Sequence, residues 1–263
     1  MDMGIAGKVA IVTGATRGIG AAIATLLLQE GGSVYGTGRT PESVAAAKEQ
    51  FAFAGDRVEL AVADAGDPET PARLVVDAVH RFGRLDIVVN NAASLVYKSM
   101  DDLMRADWEK LAGEKLVSYS EIMRAAKPHL ESSSGAIVNI SGVAGSIPAG
   151  EAPHVGAVNA GIIAVTRFFA SQYAPSGIRV NAVSPGDTNT GRRDERIKKA
   201  EEQGLSRHEA EAKFAEDIPL SRPVEPAEVA GVVVALCSTS FGSVTGVNVI
   251  VDGGKHIRYS AQQ

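Results

Sequence analysis

This 263-residue chain predicts a single α/β domain, a doubly wound parallel sheet with helices on both faces, and three observations carry that prediction. Short β-branched runs alternate with segments of helical periodicity along nearly the whole length. Few of these runs alternate polar with apolar residues, as expected of strands covered on both faces. The first run leads into a glycine-rich turn that opens a helix. Apolar residues make up 45% of the chain, which suits one core burying about 70–75% of the unfolded surface.

The first strand is Val9-Ala10-Ile11-Val12, and further strands are predicted over 33–36, 58–62, 86–90, 136–140, 179–183 and 248–251. Helices are predicted between them over 18–30, 40–53, 68–82, 100–129, 155–174 and 226–238, each long enough for three turns or more. Strands spaced by single helices pair in parallel through right-handed crossovers. Pro128 marks a helix exit, and Ser132-Ser133-Ser134-Gly135 marks a turn. Residues 187–220 break the rhythm with Arg192-Arg193-Asp194-Glu195-Arg196 and Lys198-Lys199. That stretch reads either as a solvated helical hairpin or as a lid over a substrate pocket.

Composition narrows the function. Net charge is −5 and the only basic cluster, 192–199, is interleaved with acids, so a nucleic-acid partner is not expected. No apolar run approaches the roughly 20 residues that cross a bilayer, and no basic segment followed by an apolar stretch opens the chain; a soluble cytosolic protein is expected. Cys237, the only cysteine, sits in Val232-Val233-Val234-Ala235-Leu236-Cys237 and reads as a small buried hydrophobe. No metal site is expected.

The turn Thr13-Gly14-Ala15-Thr16-Arg17-Gly18-Ile19-Gly20 follows a strand and opens a helix. Its glycines let backbone N–H groups approach a pyrophosphate at the helix N-terminus, the Rossmann-type arrangement for a dinucleotide. The second strand ends Tyr35-Gly36-Thr37-Gly38-Arg39-Thr40, without the acid that would hold a ribose 2′-hydroxyl. Arg39 and Arg17 can instead flank a 2′-phosphate, so the expected cofactor is NADP(H).

Several further motifs follow in order: Asp64, Asn90-Asn91-Ala92-Ala93, Val138-Asn139-Ile140-Ser141, Arg179-Val180-Asn181-Ala182-Val183-Ser184-Pro185-Gly186, and Thr245-Gly246 leading to Asp252-Gly253-Gly254. Together with the glycine turn they resemble the short-chain dehydrogenase/reductase family, in its NADP-preferring branch of about 250 residues, from about Ala6 to Gly254. The resemblance implies that Asp64 meets the adenine, and that Asn90, with Ala92, lies on the ribose side. It places Pro185, Gly186, Thr188 and Thr190 at the nicotinamide carboxamide. It also implies a small-molecule substrate and a homo-oligomer, usually a tetramer.

The catalytic part of the family pattern is absent. The family's tyrosine protonates a carbonyl oxygen, a lysine four residues later lowers that tyrosine's pKa and grips the ribose, a serine stabilises the oxygen, and an asparagine holds a relay water. Those positions read Val155, Asn159, Gly142 and Lys115 here, and no lysine has a tyrosine four residues before it. A one-residue shift would bring Ser141 to the serine position. Losing a positioned general acid costs about 10²–10⁴-fold, and losing the oxyanion donor about as much again. His154 would point about 100° away from Val155 on a helix and reads as a structural or surface histidine. Ser94, Tyr97 and Ser99 either line a pocket or are ordinary loop residues.

Lysine and asparagine have exchanged places. Either Lys115 reaches across to supply the ribose contact and charge that Asn159 cannot, or two unrelated changes left Lys115 pointing to solvent. The candidate catalytic residues are therefore Lys115, Ser141 and Asn159. Three functions stay open: an NADP(H)-dependent oxidoreductase acting on an iminium ion or activated C=C bond, a silent cofactor-binding partner subunit, and a non-redox catalyst using the same pocket.

Overall fold

The computed structural model describes residues 2–94, 98–148 and 152–261. Its strands are β1 (Val9–Val12), β2 (Ser33–Gly38), β3 (Val58–Val62), β4 (Ile87–Asn90), β5 (Ala136–Ile140), β6 (Arg179–Pro185) and β7 (Asn248–Val251). They form one sheet in the order β3-β2-β1-β4-β5-β6-β7, parallel at every pairing. The helices are α1 (Gly18–Gln29), α2 (Pro41–Gln50), α3 (Thr70–Phe82), α4 (Arg105–Leu111), α5 (Ser118–Glu131), α6 (Pro153–Tyr173), α7 (Gly191–Glu202), α8 (Arg207–Ala215), α9 (Pro226–Cys237) and α10 (Lys255–Ala261). The doubly wound sheet is as predicted.

Strand β1 shows why its sequence does not alternate in polarity. Ala10 and Val12 pack into a core with Ile23 and Leu27 of α1 and Val229 and Val233 of α9. Val9 and Ile11 face the opposite core, with Leu74 of α3 and Ile122 and Met123 of α5. Successive side chains of a strand point to opposite faces, so two covered faces demand apolar residues throughout. Cys237 is buried in the first of these cores, and burial pushes its thiol up to about 12. Among the described residues no helix is long and apolar enough to cross a membrane.

The predicted helix over 100–129 is instead α4, a π-helical turn at Ala112–Val117, and α5. Such turns concentrate at functional sites, and this one carries Lys115. Pro128 does not mark the helix exit; it lies within α5, which continues to Glu131. Burial of Ala126 and Leu130 against the sheet outweighs the single N–H that proline withholds. The turn after it is present, with Ser134 at φ 48°.

The 187–220 segment is a helical hairpin with a core of its own: Ile197, Ala200 and Ala210 are buried, with Leu205 and Phe214 packed against them. It is less solvated than its charges suggest. Arg193 is buried, donating to Asp187 at 3.0 Å, and Arg196 reaches the same carboxylate at 2.8 Å. Because Ile197 is the keystone of this small cluster, Ile197→Ala should cost about 2–4 kcal/mol locally. Limited proteolysis should then cut within 191–215 while the main thermal transition stays in place; a lowered main transition would show that the hairpin is part of the global fold.

Candidate active site

The motifs converge at the C-terminal ends of the strands, around the point between β1 and β4 where strand order reverses. Ligands of open parallel sheets bind at such points. Gly14 and Gly18 adopt φ values of 67° and 56°, and a Cβ on Gly20 would lie 2.0 Å from the Gly14 carbonyl oxygen. The turn therefore closes only with glycine. Asn91 Nδ2 donates to the Thr13 and Gly14 carbonyls at 2.9 and 3.1 Å, and Thr13 Oγ1 accepts the Asn91 and Ala92 N–H groups. Helix α1 starts without a side-chain cap or an acid in its first turn. Its first N–H groups and positive dipole end suit a pyrophosphate, with Thr16, Arg17, Gly18 and Ile19 lining the approach.

Arg17 and Arg39 are both exposed. The Thr16 methyl packs against Gly38, where an added Cβ would be 2.4 Å away, so the two arginine-bearing turns adjoin. Arg39 donates to Ser94 Oγ at 2.7 Å. Asp64 is exposed and accepts the Gly66 N–H. Asn90 is buried, donates to Asn139 Oδ1 at 2.8 Å, and leaves its own Oδ1 without a partner among the described residues. A buried acceptor left over at the cleft suits a ligand donor. Beyond the end of β6, which closes with Pro185, Gly186 leaves no room for a Cβ beside Asp252, Thr188 Oγ1 donates to the Gly186 carbonyl, and the Thr190 methyl lies against Gly18. Arg17, Arg39, Asp64, Thr188 and Thr190 thus stand on the loops that follow the strands, with Asn90 at the end of β4, around the glycine turn.

Lys115 does not point to solvent. It is 3% exposed, and its Nζ donates to Asn159 Oδ1 at 2.6 Å and to the Ser141 carbonyl at 2.9 Å. Burial pulls its pKa down to about 7, with the Arg192 charge acting in the same direction. The Ser141 hydroxyl donates to the Asn159 carbonyl at 2.9 Å. At Gly142 a Cβ would sit 2.6 Å from Asn159 Nδ2, so the glycine admits the asparagine amide. Val155 packs with Leu111, Ala152 and Val158. Lys115, Ser141, Gly142 and Asn159 are thus in one cluster that offers an amine and no free hydroxyl.

His154 is structural, not superficial. It is 1% exposed and meets the Trp108 ring edge-on at 5.9 Å. Ser94 donates its N–H to Glu114 Oε2 at 3.0 Å, and Ser99 donates to Asp102. Tyr97 lies outside the described residues. Sequence reasoning missed Asn91 as the brace of the glycine turn, buried Glu114 as the acceptor of the Ser94 N–H, and Arg192 as a charge felt at Lys115. Nothing in their local sequence singles out the last two.

Residues 14–256 match the family model described as enoyl-(acyl carrier protein) reductase. The chain belongs to the short-chain dehydrogenase/reductase family. It is 31% identical to the 3-oxoacyl-[acyl-carrier-protein] reductase of Thermotoga maritima, covering 96% of this chain and 99% of that protein. It is 33% identical to the L-rhamnose 1-dehydrogenase (NAD(P)(+)) of Azotobacter vinelandii, covering 94% and 96%. Two family structures share the fold: the ligand-free aldohexose dehydrogenase of Thermoplasma acidophilum, at TM-score 0.87, 26% identity and 98% and 97% coverage, and ElxO with NADP bound, at 0.86, 26%, 94% and 98%.

Proposed function

We propose that this family member is an NADP(H)-dependent oxidoreductase in which a buried lysine replaces the tyrosine–lysine dyad. The observation that carries this reading is the 2.6 Å bond from Lys115 Nζ to Asn159 Oδ1, which brings an amine to the position the family's lysine leaves vacant. The start of α1 holds the pyrophosphate, Arg17 and Arg39 hold the 2′-phosphate, and Asp64 meets the adenine. Thr188 and Thr190 hold the carboxamide, and the 187–220 hairpin covers the pocket. When bound, NADPH supplies a hydride. Lys115 contributes positive charge and the ribose contact, while Val155 and Gly142 supply no proton to a ketone oxygen. The fitting substrate is a small molecule that needs no hydroxyl donor, such as an iminium ion or activated C=C bond. We place it in the cytosol, as a homo-oligomer.

Calorimetric titration tests the cofactor assignment. NADPH should bind more tightly than NADH, and Arg17→Ala or Arg39→Ala should each cut that preference by about tenfold, the worth of one charge-assisted bond. Tighter binding of NADH would refute it. A second reading, a silent cofactor-binding subunit, is favoured by the Ser141 hydroxyl being spent on the Asn159 carbonyl. NADPH consumption with any of a panel of iminium ions and enones would exclude it.

A further inference from the structure

Parallel strands share one set of starting ends, and in this sheet those ends lie away from the glycine turn. Strand β1 alone, four residues at about 3.3 Å each, sets the two edges about 13 Å apart. At the starting edge, where β1, β5 and β6 begin and α9 ends, there is a cavity of about 210 Å³. Ala136 and Cys237 are buried at its base, Lys8 and Arg179 are half-buried in its walls, and Ser134 and Thr239 are exposed at its rim. None of the described residues that line it is acidic.

Arg179 brings charge to this cavity but not donors. Its Nη1 donates to the Leu236 and Val244 carbonyls, and its Nη2 to those of Cys237 and Ser238, which closes the C-terminal end of α9. All four acceptors are neutral, so the guanidinium keeps its net charge. Lys8 Nζ, Ser134 Oγ and Thr239 Oγ1 make no hydrogen bond or ion pair among the described residues. Ser134 is set in place by its backbone, at φ 48°, and by Gly177, whose added Cβ would lie 3.1 Å from the Ser134 Oγ. The acids of adjoining segments are taken. Asp86 accepts from Arg84 and from the Val9 N–H, and Glu131 accepts from Lys127 and from the Ser176 hydroxyl. Two cations and two free hydroxyls thus meet in one cavity without a carboxylate, in a chain of net charge −5. Like charges lining one concavity draw in a counter-ion, and donors left unpaired there are satisfied by it.

We propose that this cavity binds a phosphate group, at the edge of the sheet opposite the cofactor cradle. Donor chemistry chooses the anion. A planar carboxylate is matched best by the fork of an arginine, and the fork of Arg179 is spent on carbonyls. What remains is a lysine point charge with two rotatable hydroxyls, which suits the oxygens of a tetrahedral anion. The Cys237 thiol at the base stays protonated, so the site binds its ligand without reacting with it. The phosphate is either free or carried by a small ester. This inference goes beyond the oxidoreductase reading and does not depend on it.

Calorimetric titration of the full chain with inorganic phosphate, glycerol phosphate and acetate, at fixed ionic strength, tests it. Phosphate should bind about tenfold or more tighter than acetate. Tighter binding of glycerol phosphate identifies an ester as the occupant, and equal or weaker binding identifies free phosphate. Lys8→Met should lower phosphate affinity by about tenfold, and Thr239→Val by about fivefold. The double variant Arg17→Ala, Arg39→Ala, which strips the cofactor cradle of its arginines, should leave that affinity unaltered. If a cavity variant fails to fold, amide signals of the unmodified chain decide, because phosphate should move those of Gly177 and Thr239 at the cavity. Absence of phosphate binding, or acetate binding as tightly as phosphate, would overturn the proposal. So would loss of binding in the double variant with binding intact in Lys8→Met. Signal changes confined to Gly18 and Gly20 would overturn it as well, by placing the ion at the glycine turn.

Discussion

Lys115→Met should weaken NADPH binding by about ten- to a hundredfold while making the protein more stable at pH 7. The two effects have opposite signs for a physical reason. In the unfolded chain the lysine keeps its ordinary value of 10.5; in the folded chain burial lowers it to about 7. Between those values the unfolded state holds one more proton, so stability of the parent rises with pH at about 1.4 kcal/mol per unit and levels off above 10.5. Methionine fills similar space and has no proton to lose. Its cost is the donor lost to two buried acceptors, Asn159 Oδ1 and the Ser141 carbonyl, about 1–3 kcal/mol each. The variant should therefore gain most near pH 7 and lose its advantage toward pH 10. Denaturant titrations at several pH values check this, and parallel profiles for the two proteins would show that Lys115 is not the buried titrating group. An unchanged NADPH affinity would show that its charge does not serve the cofactor.

Gly20→Ala should abolish measurable NADPH binding and destabilise the fold by about 1–3 kcal/mol. The added methyl would lie 2.0 Å from the Gly14 carbonyl oxygen and 2.5 Å from Asn91 Nδ2. Neither is a flexible chain end free to swing aside, since Asn91 is bonded to both carbonyls of the turn. Helix α1 must move away from β1, and its exposed N–H groups then lose their aim. Gly231→Ala provides the control: it is exposed on α9 with nothing within 4 Å of an added Cβ, so it should be neutral or stabilise by about 0.5–1 kcal/mol. Intact NADPH binding in Gly20→Ala would mean that the turn is not the phosphate cradle.

The strands were legible because burial on both faces forces unbroken apolar runs, and each begins within one residue of its predicted start. Their ends were less so: β2 and β6 continue two residues further, where Gly38 and Pro185 hide them. The π-helical turn was not legible, since the polar and apolar pattern runs through 112–117 without a break. The core of the α7–α8 hairpin rests on three buried residues, too few to register as periodicity. In the site, the exchange of lysine and asparagine could be read by counting from Trp108, and the two side chains do meet. The spent hydroxyl of Ser141, the engaged Glu114 and the reach of Arg192 depend on which helices pack together, and no local spacing encodes that.

Gly142 constrains what the cluster can accept. A serine placed there would drive its methylene into the amide of Asn159, which is anchored by Lys115 and cannot yield without breaking that bond. A lysine placed at position 159 would set two lysines side by side in a dry pocket. A hydroxyl at 142 and a lysine at 159 are thus each obstructed while the rest of the cluster stays as it is, so the cluster accepts change only at several positions together.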